Sequence, residues 1–240
     1  MSDATPGSAG WAARIRELSE ADPSPRRVAL FRVAAAIRTV LHRMVQSSAP
    51  NEVIEAAAAD LEAVAERFSS YTNKSMYEGF AESANAGEPF GFFDHSPMLG
   101  RANPLAPPID LWLEGSADGD RMVGEANFGA AYEGPPGCVH GGYVAAAFDE
   151  VLGSTQSLSG SPGMTGRLTV HYRSPTPLET DLRFVGWLER VEGRKIFTRG
   201  ELWAGDRLCA EAEGLFISIQ PGKFADLVAE RERRQAAREG

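Results

Sequence analysis

Apolar positions recur at helical spacing in two segments near the start of the chain. Ser24-Pro25 is typical of an N-cap followed by a proline in the first turn, and the apolar positions from Val28 to Met44 predict a helix that ends near Ser47. Pro50 interrupts this pattern, and a second helix is predicted over about 51–70. Its apolar face contains Val53, Ile54, Ala57, Leu61, Val64 and Phe68. Together the two segments predict a helical hairpin, and a short helix is also possible at about 10–20.

The periodicity changes to that of strands at residue 109. Turn-forming clusters separate six strand candidates, which are 109–113, 121–128, 167–173, 181–191, 195–204 and 207–219. A third helix is predicted between the second and third strands, from Gly141 to about Ser154. This helix is apolar on almost all sides and must therefore be buried. The order predicts an α+β fold in which a curved antiparallel β-sheet wraps around a central apolar α-helix.

These patterns divide the chain into four parts. Residues 1–75 are predicted to form an N-terminal arm and the helical hairpin, which make an N-terminal helical extension. Residues 76–108, rich in Gly, Pro, Asn and Phe, are predicted to wrap irregularly around a domain surface. Residues 109–222 form the sheet-and-helix domain, and 223–240 form a charged tail.

Composition and charge exclude several classes of protein. The 240 residues include 24 Lys+Arg and 33 Asp+Glu, for a net charge of −9, which argues against a nucleic-acid partner. No apolar run is long enough for a transmembrane segment, and the first 20 residues do not resemble a secretory signal. Cys138 and Cys209 are far apart in the sequence, so neither a metal site nor a disulfide framework is expected. A cytoplasmic location is predicted.

The first helix is rich in arginine. It carries Arg26, Arg27, Arg32, Arg38 and Arg43, with no acidic residue between Asp22 and Glu52. One interpretation is a helix that binds a membrane surface or a partner. The other is a solvated arginine face on a helix that packs against the rest of the protein.

The most informative residues lie between Gly134 and Glu150. His140 precedes Gly141 and Gly142 at the junction of a loop and the buried helix. Glycine allows a ligand to approach the backbone closely, and the N–H groups at a helix start lie at its partially positive end. Such a helix start is suited to polarising a carbonyl oxygen that is becoming an oxyanion.

A carboxylate follows in the same helix. Asp149 lies nine residues after His140, between apolar residues, where a carboxylate is costly unless it has partners or a function. Glu150 lies about 100° around the helix and is predicted to be the solvent-facing member of the pair. The residues by themselves predict a buried acid beside a glycine-rich helix start, and they do not name a substrate.

At these residues the sequence resembles the hot-dog-fold thioesterase superfamily, specifically the PaaI-type acyl-CoA thioesterases. The matching motifs are His140-Gly141-Gly142, Asp149, the segment "MTGRLTVHYRSPTPL" and the later "VEGRK". The resemblance covers roughly residues 105–220 and implies a hot-dog fold. It also implies hydrolysis of an acyl-CoA thioester to a free acid and CoA, with no cofactor, since coenzyme A is part of the substrate.

The resemblance also implies residue roles. Asp149 would act as base or nucleophile, and the Gly141 N–H would polarise the thioester carbonyl. His140 would position the loop, Gly142 would contact the substrate, and Thr165 would help to hold the water, reached from the partner subunit. One departure is Gly134, because many PaaI-type members carry Asn at that position.

An anionic substrate needs basic residues, and Arg194, Lys195 and Arg173 are the candidates for binding CoA phosphates. The resemblance further implies a homodimer, possibly a tetramer, with active sites at the subunit interface. Two alternatives remain. One is a non-catalytic acyl-CoA-binding or regulatory hot-dog protein, and the less favoured one is a hot-dog dehydratase or hydratase.

Overall fold

A computed structural model of the chain describes residues 23–71, 94–117, 119–161, 163–219, 230 and 233–234. Its helices are α1 (Pro25–Val45), α2 (Asn51–Ser69) and α3 (Gly141–Thr155). Its strands are β1 (Asp110–Glu114), β2 (Arg121–Asn127), β3 (Gly163–Tyr172), β4 (Asp181–Glu192), β5 (Lys195–Ala204) and β6 (Arg207–Ser218). The predicted short helix at 10–20, residues 76–93 of the wrapping segment and most of the charged tail lie outside the described residues.

The six strands form one antiparallel sheet. Its order is β1-β2-β4-β5-β6-β3, so β1 and β3 are the two edge strands. The α3 helix packs against five of the six strands and buries Val144, Phe148 and Leu152 completely against them. The predicted hot-dog fold with N-terminal helices is therefore confirmed.

Glycines on neighbouring strands allow α3 to approach the sheet closely. Gly200 of β5 lies under Leu152, and a Cβ atom there would come within 3.0 Å of the Leu152 Cδ2. A Cβ on Gly186 of β4 would lie 2.3 Å from the hydroxyl of Thr155, the last residue of α3. Because side chains would push the helix away at these points, the glycines fix the height of α3 above the sheet.

The first helix packs on the hot-dog domain through its basic side chains. Arg27 donates two hydrogen bonds to the largely buried carboxylate of Asp94, at 2.6 and 2.9 Å. Arg38 donates to the backbone carbonyl of Asn103 at 2.8 Å, and His42 accepts a hydrogen bond from the Ala131 N–H at 3.1 Å. The arginines of α1 therefore fall into two groups. Arg27 and Arg38 contact the rest of the chain, whereas Arg26, Arg32 and Arg43 lie in solvent.

The second helix is also found where it is predicted, but its apolar face is not covered. Every residue from 51 to 71 is exposed, including Ile54, Leu61 and Phe68. The packing expected of a helical hairpin is therefore absent from the described residues.

Candidate active site

The α3 helix begins at the predicted glycine pair, and His140 caps it. The Gly142 N–H donates to Nδ1 of His140 at 3.0 Å, so the imidazole satisfies one of the free N–H groups at the helix start. The Gly141 N–H has no acceptor among the described residues. Of the two glycine N–H groups, only that of Gly141 is available to a ligand.

Two neighbours hold this helix start in place. The hydroxyl of Tyr172, at the end of β3, donates to the Gly141 carbonyl at 2.7 Å. Gly134 lies against the backbone of His140, where a Cβ atom would come 2.8 Å from the His140 Cα. A side chain such as Asn at position 134 would therefore require the loop to move, which accounts for the departure from the family pattern.

Asp149 meets its predicted hydroxyl partner. The Thr165 Oγ1 donates to the Asp149 Oδ1 at 2.8 Å, and both residues belong to the same chain. The expectation that Thr165 is reached from a partner subunit is therefore wrong. The physical reason is that β3 begins at Gly163, four residues before its predicted start, so Thr165 lies on the strand beside α3.

The neighbouring Glu150 is not the solvent-facing residue that helix geometry predicted. Its carboxylate lies under the segment 94–109 and accepts a hydrogen bond from the buried Ser96 hydroxyl at 3.3 Å. Burial raises the pKa of Glu150 to about 7, opposed by the Ser96 hydrogen bond and reinforced by the nearby charge of Asp149. The site thus holds two adjacent carboxyl groups in different surroundings.

The basic candidates lie at both ends of β3. Arg173 follows Tyr172 and forms an exposed ion pair with Glu211. Arg194 donates to the Ser218 carbonyl at 3.2 Å, opposite the start of β3, and Lys195 makes no ion pair among the described residues. Exposed ion pairs of this kind are weak, so a phosphate could displace Glu211 from Arg173.

Sequence reasoning missed Ser96 and Tyr172 as parts of this site. Ser96 lies in an irregular segment with no periodicity, and only the fold brings its hydroxyl to Glu150. Tyr172 was visible as a polar aromatic residue at a strand end, but its contact with Gly141 spans 31 residues of sequence.

Within the described ranges, no group of His, Cys, Asp and Glu residues could hold a metal ion. No helix in that part of the chain is both long and apolar enough to span a membrane.

Comparison with known proteins identifies the family. The model of the thioesterase superfamily matches residues 136–211, which include the helix start, Asp149 and Thr165. An acyl-coenzyme A thioesterase THEM4 from Xenopus laevis is 38% identical over 103 residues, or 42% of this chain and 46% of that protein. The corresponding protein of Mus musculus is 36% identical over 105 residues, or 43% of this chain and 45% of that protein. The chain thus spans a little under half the length of these curated relatives.

One solved structure matches much more of the chain. The crystal structure of a thioesterase superfamily protein is 34% identical, with a TM-score of 0.67, and the match covers 82% of this chain and 97% of that one. Residues 109–222 are less than half of the chain, so this match also extends beyond the hot-dog domain. Similarity of this degree over almost the whole of a relative shows that the chain belongs to the thioesterase superfamily.

Proposed function

We propose that this protein is an acyl-CoA thioesterase. The observation that carries the proposal is the pair of groups along α3, namely an unpartnered Gly141 N–H at the helix start and an Asp149 carboxylate that accepts the Thr165 hydroxyl. The Gly141 N–H can stabilise a developing oxyanion, and the Asp149 carboxylate can take a proton from an attacking water molecule. The relatives named acyl-coenzyme A thioesterase support the same substrate class.

The proposed reaction uses these groups in sequence. A water molecule held by Asp149 and Thr165 attacks the thioester carbonyl carbon, and Asp149 accepts its proton. The carbonyl electrons move onto the oxygen, where the Gly141 N–H stabilises the charge. The intermediate collapses with cleavage of the C–S bond, and the proton on Asp149 passes to the departing CoA thiolate. The products are a free carboxylic acid and CoA, and no cofactor is required.

Helix geometry supports a site built from two chains, as the resemblance implies. Gly141 and Asp149 are eight residues apart on one helix, which separates them by about 12 Å. One carbonyl group and the water that attacks it lie within about 3.5 Å of each other, which is much less than this separation and favours a site that takes the two residues from different chains. We infer that each site combines Asp149 and Thr165 of one copy with Gly141 of a second.

The exposed edge of the sheet offers a way to join the copies. Along β3, Thr165 lies beside Asp149 and Tyr172 lies beside Gly141. If two β3 edges pair antiparallel around a two-fold axis that passes between Leu168 and Thr169, Thr165 of one copy comes opposite Tyr172 of the other. This pairing brings Asp149 of one copy to Gly141 of its partner. It also covers Met164, whose side chain is 55% exposed in the single chain.

The same arrangement would gather the basic residues around the substrate. Arg194 and Lys195 lie near the Thr165 end of β3, and Arg173 lies near the Tyr172 end. In the edge-paired dimer, Arg173 of one copy would approach Arg194 and Lys195 of the other. We propose that these side chains bind the phosphates of CoA. A cytoplasmic location remains a prediction from the sequence.

The proposal is tested by hydrolysis of a panel of acyl-CoA thioesters, with the released thiol as the signal. Asp149→Asn keeps the size of the side chain and removes the base, so we expect kcat to fall about a hundredfold or more. Glu62→Gln, on the exposed α2 helix, is the matched control and should leave kcat unchanged. A purified protein that binds acyl-CoA but hydrolyses no member of the panel would instead be the non-catalytic alternative.

A further inference from the structure

The exposed face of α2 has no explanation in the proposed reaction. Ile54, Phe68 and Tyr71 are 54%, 53% and 69% exposed, and no residue of the helix is buried. In proteins most of the stability of a helix comes from packing of its apolar face rather than from helix propensity. The apolar residues of α2 therefore indicate a binding surface for another helix or chain.

The spacing of these residues indicates what kind of surface it is. One row of apolar positions has alternating intervals of three and four residues, and its members are Ile54, Ala57, Leu61, Val64 and Phe68. Tyr71 continues the spacing two residues beyond the end of α2. This is the a/d spacing of a helix that pairs with another helix along a narrow seam. The helical part of the seam, from Ile54 to Phe68, is about 21 Å long, since each helical residue rises by 1.5 Å.

We propose that a second copy of this chain covers this seam, with its α2 helix antiparallel to the first. When the two-fold axis passes between Leu61 and Val64, Leu61 of each copy faces Val64 of the other. Ala57 then faces Phe68, and Ile54 faces the chain just beyond the end of α2, where Tyr71 follows Ser70. The smallest side chain of the seam is thus placed opposite one of the largest, which lets these layers fill without a gap.

A parallel pair would fit less well. It would place Ala57 opposite Ala57 and Phe68 opposite Phe68, which leaves a void in one layer and crowds another. The distribution of side-chain size along α2 therefore favours the antiparallel arrangement.

Charge complementarity favours the same register. Asp60 and Arg67 flank the seam on one side, and neither makes an ion pair within the described chain. In the antiparallel register Asp60 of each copy lies near Arg67 of the other, so the interface contains two equivalent ion pairs related by the two-fold axis. The remaining acidic side chains, Glu52, Glu55, Glu62 and Glu66, lie on the opposite face and stay in solvent.

The test measures the mass of the full-length protein by sedimentation equilibrium over a range of concentrations. Leu61→Glu places a charge at the centre of the seam in both copies, and we expect it to remove one association step, with the affinity lowered at least a hundredfold. At a concentration at which the wild type is also dissociated, the melting temperature should not change, because Leu61 is not part of the hydrophobic core of the hot-dog domain.

A charge exchange tests the register. Asp60→Arg and Arg67→Asp should each weaken the association about five- to tenfold, because each replaces two attractive pairs with two repulsive ones. The double variant restores both pairs with reversed polarity and should return to within about twofold of the wild type. Glu62→Arg, which makes the same charge change on the outer face, is the control and should have no effect.

Two results would overturn the proposal. If wild type and Leu61→Glu have the same mass at every concentration, α2 does not join copies of this chain, and its seam is covered by another part of the same chain or by a different protein. If Leu61→Glu dissociates the assembly but the double charge variant is no better than the single ones, the antiparallel register is wrong.

Discussion

Two adjacent carboxyl groups on α3 have different surroundings and different expected behaviour. Glu150 is packed under the segment 94–109, where burial raises its pKa from 4.5 to about 7, whereas Asp149 meets a hydroxyl group on β3. Because the folded state binds the Glu150 proton more tightly than the unfolded state, this group favours folding at low pH. That contribution is lost as the pH rises from about 4.5 through 7.

Glu150→Gln should therefore change how stability depends on pH. The amide cannot ionise, so the variant escapes the cost of burying a charge. The free energy of unfolding of the variant should therefore increase relative to that of the wild type as the pH rises from 5 to 8. Denaturant unfolding of both proteins at several pH values measures this difference, because the other titrating groups cancel in the comparison. Parallel pH profiles would show that Glu150 is ionised without penalty.

The Gly141 N–H can be removed with little other change. Proline is favoured at the first position of a helix, and the φ and ψ of His140, −60° and 130°, suit a residue that precedes proline. Gly141→Pro should keep the fold and lower kcat about a hundred- to a thousandfold, as expected for loss of one oxyanion donor. Gly141→Ala retains the N–H, and its Cβ would meet only the end of the Tyr172 side chain, at 3.2 Å. Equal kcat values in the two variants would exclude this N–H from the reaction.

At the scale of whole elements, α1 is part of the hot-dog domain rather than a loose extension. The side chain of Asp94 is 11% exposed and depends on Arg27 for its charge-paired hydrogen bonds. Arg27→Ala would leave that carboxylate buried without its partner, and we expect a loss of about 2–4 kcal/mol in the free energy of unfolding. Arg32→Ala, on the solvent side of the same helix, should change it by less than about 0.5 kcal/mol.

Thermal or denaturant unfolding of the two arginine variants makes this comparison. Equal stability of both would mean that the Arg27–Asp94 ion pair does not contribute to holding α1 in place. A large loss for Arg27→Ala would instead predict that a chain beginning near Met76 is unstable, because it would lack all three contacts that α1 makes through Arg27, Arg38 and His42.

The elements themselves were readable from the sequence, because helical and strand periodicities are local. The bounds of α1, α2, α3 and five of the six strands lie close to the predicted ones. The start of β3 could not be predicted from the sequence, since Gly163 and Gly166 disfavour a strand and only pairing with β6 extends it. The surroundings of the Glu150 side chain could not be predicted from the sequence pattern either, because they depend on where the irregular segment that contains Ser96 lies relative to α3.

At the scale of the whole molecule, the distance along α3 makes a prediction about mixed dimers. Asp149 and Thr165 touch within one chain, whereas Gly141 of that chain is about 12 Å from Asp149. Substitutions of Asp149 and of Thr165 in one chain should therefore impair the same active site. Substitutions of Asp149 and of Gly141 in one chain should impair different active sites of a two-fold dimer.

Mixing inactive variants by unfolding and refolding distinguishes these cases. When Asp149→Asn is mixed with Gly141→Pro, about half of the dimers are mixed, and each has one doubly damaged site and one intact site. Hydrolysis should recover to about a quarter of the wild-type rate. When Asp149→Asn is mixed with Thr165→Ala, each mixed dimer has one site without the base and one without the hydroxyl, so no recovery is expected. Recovery in the second mixture but not the first would mean that Thr165 serves the partner's carboxylate. It would also mean that the single-chain contact between Thr165 and Asp149 is not the one used in catalysis.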